Sequence, residues 1–167
     1  IVVRGGDIRM HSKFILASNS GDRDHVVWMS SGNLTKASGR QQANEALTIT
    51  GDADLYDFFA EQFALLAEGV TDPHRLARSI TTATAHVQTF PLPEGGREND
   101  PYAAMLDDIT CVTDTGRTVL RLGQLYLTDQ RLWVVEKLRE LKASGCDVRV
   151  VGHLPIWETT RDLLIQP

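Results

Sequence analysis

The 167-residue sequence lacks several features that would indicate a function directly. No apolar run approaches the roughly 18 residues of a membrane-spanning helix, so we predict no transmembrane segment. The first residues also lack the charged and apolar regions of a signal peptide, which suggests a soluble chain or a mature or excised piece. There is no phosphate-binding G-x-x-x-x-G-K-[ST] loop and no G-x-G-x-x-G turn, and two cysteines and five histidines form no pair at metal-ligand spacing. We therefore predict no metal and no cofactor.

The composition is that of an ordinary globular protein. Charged residues make up 23% and hydrophobic residues 42% of the chain. A chain of this length buries roughly two-thirds of its surface on folding, which is enough for a substantial core. The net charge of −5 gives no general attraction to nucleic acid, although a local basic groove would be compatible with it.

Residues 10–35 are the most informative stretch. A strand is predicted over 8–16, and alternate side chains of a strand share a face. His11 and Lys13 would then project to one side, while apolar residues project to the other. One face is a candidate reaction surface and the other is expected in the core.

A second predicted strand, 26–29, leads into a small polar turn of sequence Ser30-Ser31-Gly32-Asn33. Such turns connect a strand to a helix and can bring side chains and free backbone N–H groups beside the polar face of the first strand. An imidazole, an ammonium, an amide and a hydroxyl together suit a phosphate diester, because its negatively charged oxygens need donors.

This constellation resembles the phospholipase D superfamily, whose signature is H-x-K, a spacer, G-S-x-N, and an acidic residue on the next strand. His11-Ser12-Lys13 matches the first part, and Ser30-Ser31-Gly32-Asn33 matches the second with Ser in place of Gly. Glu45, in a strand predicted over 44–50, supplies the acidic residue. The family often has Asp five residues after the Lys, where this chain has Ser18 in a lengthened polar loop.

The resemblance implies a metal-independent phosphodiesterase, a hydrolase that acts through a phosphohistidine intermediate. It makes His11 the nucleophile and Lys13 and Asn33 the donors to non-bridging phosphoryl oxygens. Ser31 joins the phosphate-binding residues, and Glu45 would orient the imidazole. A plainer interpretation remains for three of these residues, because Ser31 and Asn33 can form a turn and cap the next helix, and Glu45 can be an ordinary strand carboxylate.

The predicted fold is α/β, with a mixed β-sheet flanked by helices, as in phospholipase D-like lobes. Residues 1–90 resemble the closing part of one such lobe, which carries the H-x-K and S-S-G-N motifs. Residues 91–101, dense in Pro, Gly and charge, are the predicted linker. Residues 102–167 resemble the opening βαβ part of a second lobe.

Periodic patterns predict the larger elements. Asp52 is the expected N-cap of a helix that continues to about residue 68. A strand over 118–126, a helix over 129–144 and a strand over 147–151 predict a βαβ unit with parallel strands. The apolar residues at helical spacing in the first of these helices are expected in the core: Leu55, Phe58, Phe59, Phe63 and Leu66. Shorter predictions are a helix or loop over 72–79, a strand over 84–90 and a helix over 102–109.

The chain contains one H-x-K, whereas enzymes of the family it resembles pair two across a shared cleft. His25, His74, His86 and His153 have no Lys two positions on. The second histidine is therefore expected from the remaining lobe of the same protein, from a second chain, or from a homodimer mate. The first two sources are favoured, because the compact homodimers of the family carry the opening βαβ unit before the motif.

Cys111 and Cys146 are the only cysteines, and each lies just before a strand of the predicted parallel pair. Both would fall at the same sheet edge, so we predict a disulfide and with it an oxidising, secreted setting. The alternative is two small buried thiols.

Three functional alternatives remain open. A phospholipid substrate is favoured, because segments 89–91, 100–102 and 145–149 resemble secreted bacterial proteins with phospholipase D-like domains. A nuclease of the same superfamily is the enzymatic alternative. A non-catalytic binding module that keeps the fold is the third, since one of the two H-x-K motifs is missing.

Overall fold

A computed structural model of the chain describes residues 10–124, 126, 128–152 and 158–165, without the side chains of 163–165. The chain divides into two compact units, Ile1–Pro93 and Glu94–Pro167. Their boundary falls inside the segment 91–101 that the sequence predicts as a linker. Small sheets and six helices make up the described fold, so the general α/β class is confirmed.

The first unit contains a three-stranded antiparallel sheet in the order β1-β2-β3 and a separate antiparallel pair, β4 and β5. The strands are β1 (Phe14–Ser20), β2 (Arg23–Ser30), β3 (Ala46–Ile49), β4 (Ser79–Thr81) and β5 (His86–Gln88). The helices are α1 (Lys36–Arg40), α2 (Ala53–Ala67) and α3 (Pro73–Leu76).

The second unit contains the predicted βαβ arrangement, in which β8 and β9 are parallel. A short antiparallel pair, β6 and β7, precedes it. The strands are β6 (Val112–Thr113), β7 (Gly116–Arg117), β8 (Val119–Gln124) and β9 (Asp147–Gly152). The helices are α4 (Pro101–Asp107), α5 (Leu132–Ala143) and α6 (Glu158–Ile165), with 3₁₀ turns at Arg97–Asn99 and Asp129–Arg131.

Within the described ranges the strands form four separate sheets, three antiparallel and one parallel. The single mixed sheet predicted from the sequence is therefore wrong for this part of the chain. The antiparallel strands of residues 14–49 and the parallel pair β8–β9 belong to different units, so each sheet forms locally. No helix in the described ranges is long and apolar enough to span a bilayer.

The first strand begins later than predicted. The sequence suggests 8–16, whereas β1 is Phe14–Ser20, and residues 8 and 9 lie outside the described ranges. His11 and Lys13 therefore precede the strand, so the strand position predicted for them is wrong, whereas the prediction that their side chains point the same way agrees with their contact. The structure brings them together by a direct side-chain contact, described below.

The polar segment predicted as a long loop is the end of a β-hairpin. Ser20 pairs with Arg23, which leaves Gly21 and Asp22 as a two-residue turn. Gly21 has a φ of 67°, a left-handed conformation that glycine adopts without the clash a Cβ would cause. Polar residues occur here because this end of the hairpin is exposed, and the strand is still paired.

Helix α2 forms the core of the first unit by packing on the sheet. Asp52 is its N-cap, as predicted, and the Asp52 Oδ1 accepts a hydrogen bond from Leu55 N at 3.0 Å. Leu55 and Phe59 are buried against the sheet, but Phe63 is 58% exposed, so its predicted core position is wrong. Phe63 lies roughly 80° around the helix axis from Leu55, whereas Gln62 lies within about 20° of it and is buried instead.

Two features add to the apolar core of the second unit. A disulfide joins Cys111 to Cys146, with their Cα atoms 4.6 Å apart. Asp100, 3% exposed, is the N-cap of α4, and its carboxylate also accepts hydrogen bonds from Arg131 Nε at 2.8 Å and Trp133 Nε1 at 2.7 Å. One carboxylate therefore connects the start of α4 to the start of α5.

Candidate functional site

The candidate residues lie at one end of the three-stranded sheet. β1 begins at Phe14, antiparallel β2 ends at Ser30, and β3 begins directly after Glu45. Hydrogen bonds continue past these strand ends, because Ser30 N donates to Lys13 O at 3.0 Å and Ser31 N donates to Glu45 O at 3.1 Å. The topology thus brings the three motif-bearing segments to the same sheet end.

His11 and Lys13 form a side-chain pair. The Lys13 Nζ lies 3.1 Å from the His11 Nδ1 and donates to the His11 backbone carbonyl at 2.6 Å. An ammonium group has donors only, so Nδ1 accepts in this contact, and a neutral ring then carries its proton on Nε2. The imidazole is exposed and the ammonium half-buried, so both can be reached from solvent.

Ser31 and Glu45 form a second pair. The Ser31 Oγ lies 3.2 Å from Glu45 Oε2 and 3.1 Å from Asn44 Oδ1, and it accepts from Glu45 N at 3.1 Å. Because the hydroxyl has a single proton, it donates to one of the two oxygens at a time. The hydrogen bond predicted between Glu45 and the His11 ring is not among the contacts of the described residues, so that orienting role stays a prediction.

Asn33 lies in the turn after β2. Its backbone carbonyl accepts from Thr35 N at 2.8 Å, and its side chain is exposed. The helix that follows is capped by Thr35, whose Oγ1 accepts from Ser38 N at 3.2 Å, so the alternative of Asn33 as the cap is wrong. Within the described part of the chain the Asn33 amide makes no hydrogen bond, which leaves it available to a ligand.

The His11–Lys13 pair lines a cleft of about 530 Å³ in the first unit. The polar lining residues are His11, Ser12 and Lys13 before β1, with Ser30, Gln62, Gln88 and Thr89 from other segments, whereas Ser31, Asn33 and Glu45 are not among the lining residues. The apolar lining residues are Met10, Phe14, Met29, Phe59, Leu66, Leu76, Val87, Phe90 and Pro91. Such a lining suits a ligand with one charged group and one apolar group.

Gln62 is a lining residue that sequence reasoning missed. It is 4% exposed, and its Nε2 lies 3.4 Å from the Leu76 carbonyl. Its Oε1 is buried and has no hydrogen-bond partner among the described residues. The sequence does contain a signal, since Gln62 is a polar residue three positions after Phe59 and four before Leu66, within an apolar helical stripe.

Two carboxylates with shifted pKa values have structural roles away from this pair. Hydrogen bonds from the Thr82 and Thr84 hydroxyls and from Leu55 N lower the pKa of Asp52. Burial works to raise the pKa of Asp100, but hydrogen bonds from Arg131, Trp133 and a backbone N–H outweigh burial and lower it. Across the described residues, no three His, Cys, Asp or Glu side chains converge on a point that could hold a metal ion.

In comparisons with protein-family models, curated proteins and solved structures, nothing matches this chain. The candidate site therefore depends on the residues and their geometry alone, and the likeness to phospholipase D enzymes stays a prediction.

Proposed function

We propose that the first unit supplies one half of the active site of a metal-independent, phospholipase D-like phosphodiesterase. The observation that carries the proposal is the His11–Lys13 pair, with Nδ1 and Nζ 3.1 Å apart, lining a cleft of mixed polar and apolar character. A nucleophilic imidazole beside a fixed cation is the pair of groups that attack on a phosphate diester requires.

In the first proposed step, the diester displaces the contact between Lys13 and His11. A phosphoryl oxygen is a stronger acceptor for an ammonium than a neutral imidazole nitrogen is, because the oxygen carries charge. The Lys13 Nζ would therefore turn to the phosphate, and the Asn33 amide would add a neutral donor. The released imidazole can then move its proton from Nε2 to Nδ1.

In the chemical step, the lone pair on His11 Nε2 attacks phosphorus. A nitrogen–phosphorus bond forms and the bond to the leaving alcohol oxygen breaks, with a second histidine from outside this chain donating a proton to that oxygen. Water activated by the same second histidine then cleaves the phosphohistidine. Glu45 would stabilise the attacking ring by accepting from Nδ1–H in place of its present contact with Ser31.

The apolar walls of the cleft favour a phospholipid or another lipid diester over nucleic acid as the substrate. The Cys111–Cys146 disulfide supports an oxidising compartment, and we propose that the protein is secreted. The missing second histidine would come from the remaining lobe of a longer chain, from a second polypeptide or from a homodimer mate.

The test is the reaction of the chain with bis(p-nitrophenyl) phosphate in the presence of EDTA. The p-nitrophenolate leaves without protonation, so attack by His11 does not require the second histidine. We expect about one equivalent of nitrophenolate per chain and a nitrophenylphosphoryl adduct on His11, read by intact mass and peptide mapping.

The matched control is His74→Ala, which removes an exposed histidine from α3 in the same unit. This variant should form the adduct as the wild type does, and His11→Ala should form none. An adduct that survives His11→Ala would contradict the assignment of the nucleophile. No adduct in any of the three proteins would favour the non-catalytic binding module.

A further inference from the structure

Gln62 has a buried amide oxygen that the fold does not use. The Leu76 carbonyl can only accept, so the amide nitrogen must be the atom that faces it, at 3.4 Å. Flipping the amide would bring two acceptors together, so the orientation is fixed by chemistry. Oε1 is then the atom left without a donor among the described residues.

An unpaired buried acceptor is costly, because the group loses its hydrogen bonds to water and gains none in return. Sequences seldom keep a glutamine on the buried stripe of a helix without a partner for it. Gln62 occupies such a stripe and also lines the cleft of the proposed site. A ligand in that cleft is therefore a reasonable source of the missing donor.

The surroundings of Gln62 define the rest of the ligand. Phe59, Leu66 and Leu76 line the same cleft with apolar surface, and His11 and Lys13 line it with the groups proposed to bind phosphate. Apolar walls exclude the water that would compete for a hydrogen bond, which makes the bond more selective.

We infer that Gln62 is a specificity-determining residue, whose side-chain amide turns into the cleft on binding so that Oε1 accepts a hydrogen bond from a donor on the hydrocarbon ester arm of the substrate. The inference rests on the proposed function and narrows its substrate class. The preferred substrate is a phosphate diester in which one ester group is a hydrocarbon that carries a hydroxyl or amide N–H. Diesters with a plain hydrocarbon arm would bind more weakly, because they leave the Gln62 oxygen unpaired.

The test uses two matched series of probes, alkyl methyl phosphates and ω-hydroxyalkyl methyl phosphates, over a range of chain lengths. Dissociation constants are measured by titration calorimetry with the full chain. At the best chain length we expect the hydroxyl-bearing probe to bind about tenfold more tightly than its alkyl partner, as one well-shielded hydrogen bond allows.

Gln62→Met keeps the length of the side chain and removes the acceptor, so we expect it to abolish the tenfold preference and retain affinity for the alkyl series. The matched control is Gln88→Met, which removes another cleft-lining amide whose Nε2 already donates to Thr89 O at 2.9 Å. We expect the control to keep the preference for the hydroxyl. Chemical shifts of the Gln62 side-chain amide in the unmodified protein should respond to the hydroxyalkyl probe more than to the alkyl probe, which gives a readout that needs no variant.

Equal binding of the two series by the unmodified protein would overturn the role of Gln62. If both series bind equally to the unmodified protein and neither binds to Lys13→Met, the phosphate site of the proposed function stands and only the role of Gln62 is overturned. If Lys13→Met leaves the dissociation constants unchanged, or if neither series binds, the phosphate site and the role of Gln62 are both overturned.

Discussion

Asp100 in the second unit and Gln62 in the first are both buried polar side chains, but only the Asp100 side chain is fully paired. In the second unit Asp100 accepts hydrogen bonds from Arg131 and Trp133 while it caps a helix, so its carboxylate is fully engaged. In the first unit the Gln62 oxygen and the exposed Asn33 amide have no partner among the described residues. An unpaired polar group alone does not mark a site, because Thr160 Oγ1 in the second unit is also buried without a partner among the described residues. Gln62 differs because it lines the cleft that contains His11 and Lys13, so the candidate function is assigned to the first unit and the Asp100 network to stability.

The largest expected effect separates two phenylalanines of α2. Phe59→Ala removes a buried ring and should lower the free energy of unfolding by about 3–5 kcal/mol. Phe63→Ala removes an exposed ring and should change it by less than about 1 kcal/mol. Urea denaturation of both variants is the measurement. Equal losses of stability in the two variants would contradict the burial of Phe59 and the exposure of Phe63 in α2.

The disulfide should be the next largest contribution. It closes a loop with a sequence separation of 35, so the chain-entropy relation predicts a loss of about 2–4 kcal/mol in the Cys111→Ala/Cys146→Ala double variant. The control is the reaction of His11 with bis(p-nitrophenyl) phosphate, which should be unchanged at a temperature where the variant is folded. Loss of the adduct in a folded variant would contradict the claim that the disulfide serves stability and the first unit alone reacts with the diester.

Asp100→Asn should have a smaller effect and lower the free energy of unfolding by about 2 kcal/mol. The amide still caps α4, but it loses the charge-assisted hydrogen bonds to Arg131 and Trp133. Asp108→Asn, at the exposed C-cap of the same helix, is the matched control and should stay within about 0.5 kcal/mol. Similar values for the two variants would show that the network contributes little to stability.

The smallest expected effect is a dependence of stability on acid pH. The pKa of Asp52 and that of Asp100 are both lowered on folding, so each contributes stability that is present above the ordinary value of 3.8. That stability is lost as the pH falls through the lowered pKa. Thermal melts below pH 4 should therefore show a steeper loss for the wild type than for Asp52→Asn. Parallel curves would argue against the hydrogen bonds from Thr82 and Thr84 as the cause.

The sequence predicts the fold well where a long periodic pattern coincides with a cap or a crossover. The Asp52-capped helix and the βαβ unit of residues 119–152 are examples. Sequence-based prediction fails for strands that are short or exposed on both faces. Such strands have no buried face, so their apolar and polar residues do not alternate. For that reason the polar end of the β1–β2 hairpin resembles a loop, and the two-residue strands β6 and β7 escape prediction.

The candidate site shows the same division. Motif spacing correctly indicated which segments lie at one sheet end, because chain order and antiparallel pairing determine where each strand starts and ends. Spacing could not predict that Lys13 contacts Nδ1 of His11 or that Glu45 contacts Ser31, because these contacts depend on side-chain rotamers. The unpaired Gln62 oxygen depends on how α2 and α3 pack, which no local pattern specifies.

The most direct test of the account is the intact mass of the chain after reaction with bis(p-nitrophenyl) phosphate in EDTA. The account predicts a single nitrophenylphosphoryl adduct that peptide mapping assigns to His11 and that His11→Ala abolishes. An unmodified wild-type chain, or an adduct on any residue other than His11, would contradict the claim that the first unit carries a nucleophilic half-site.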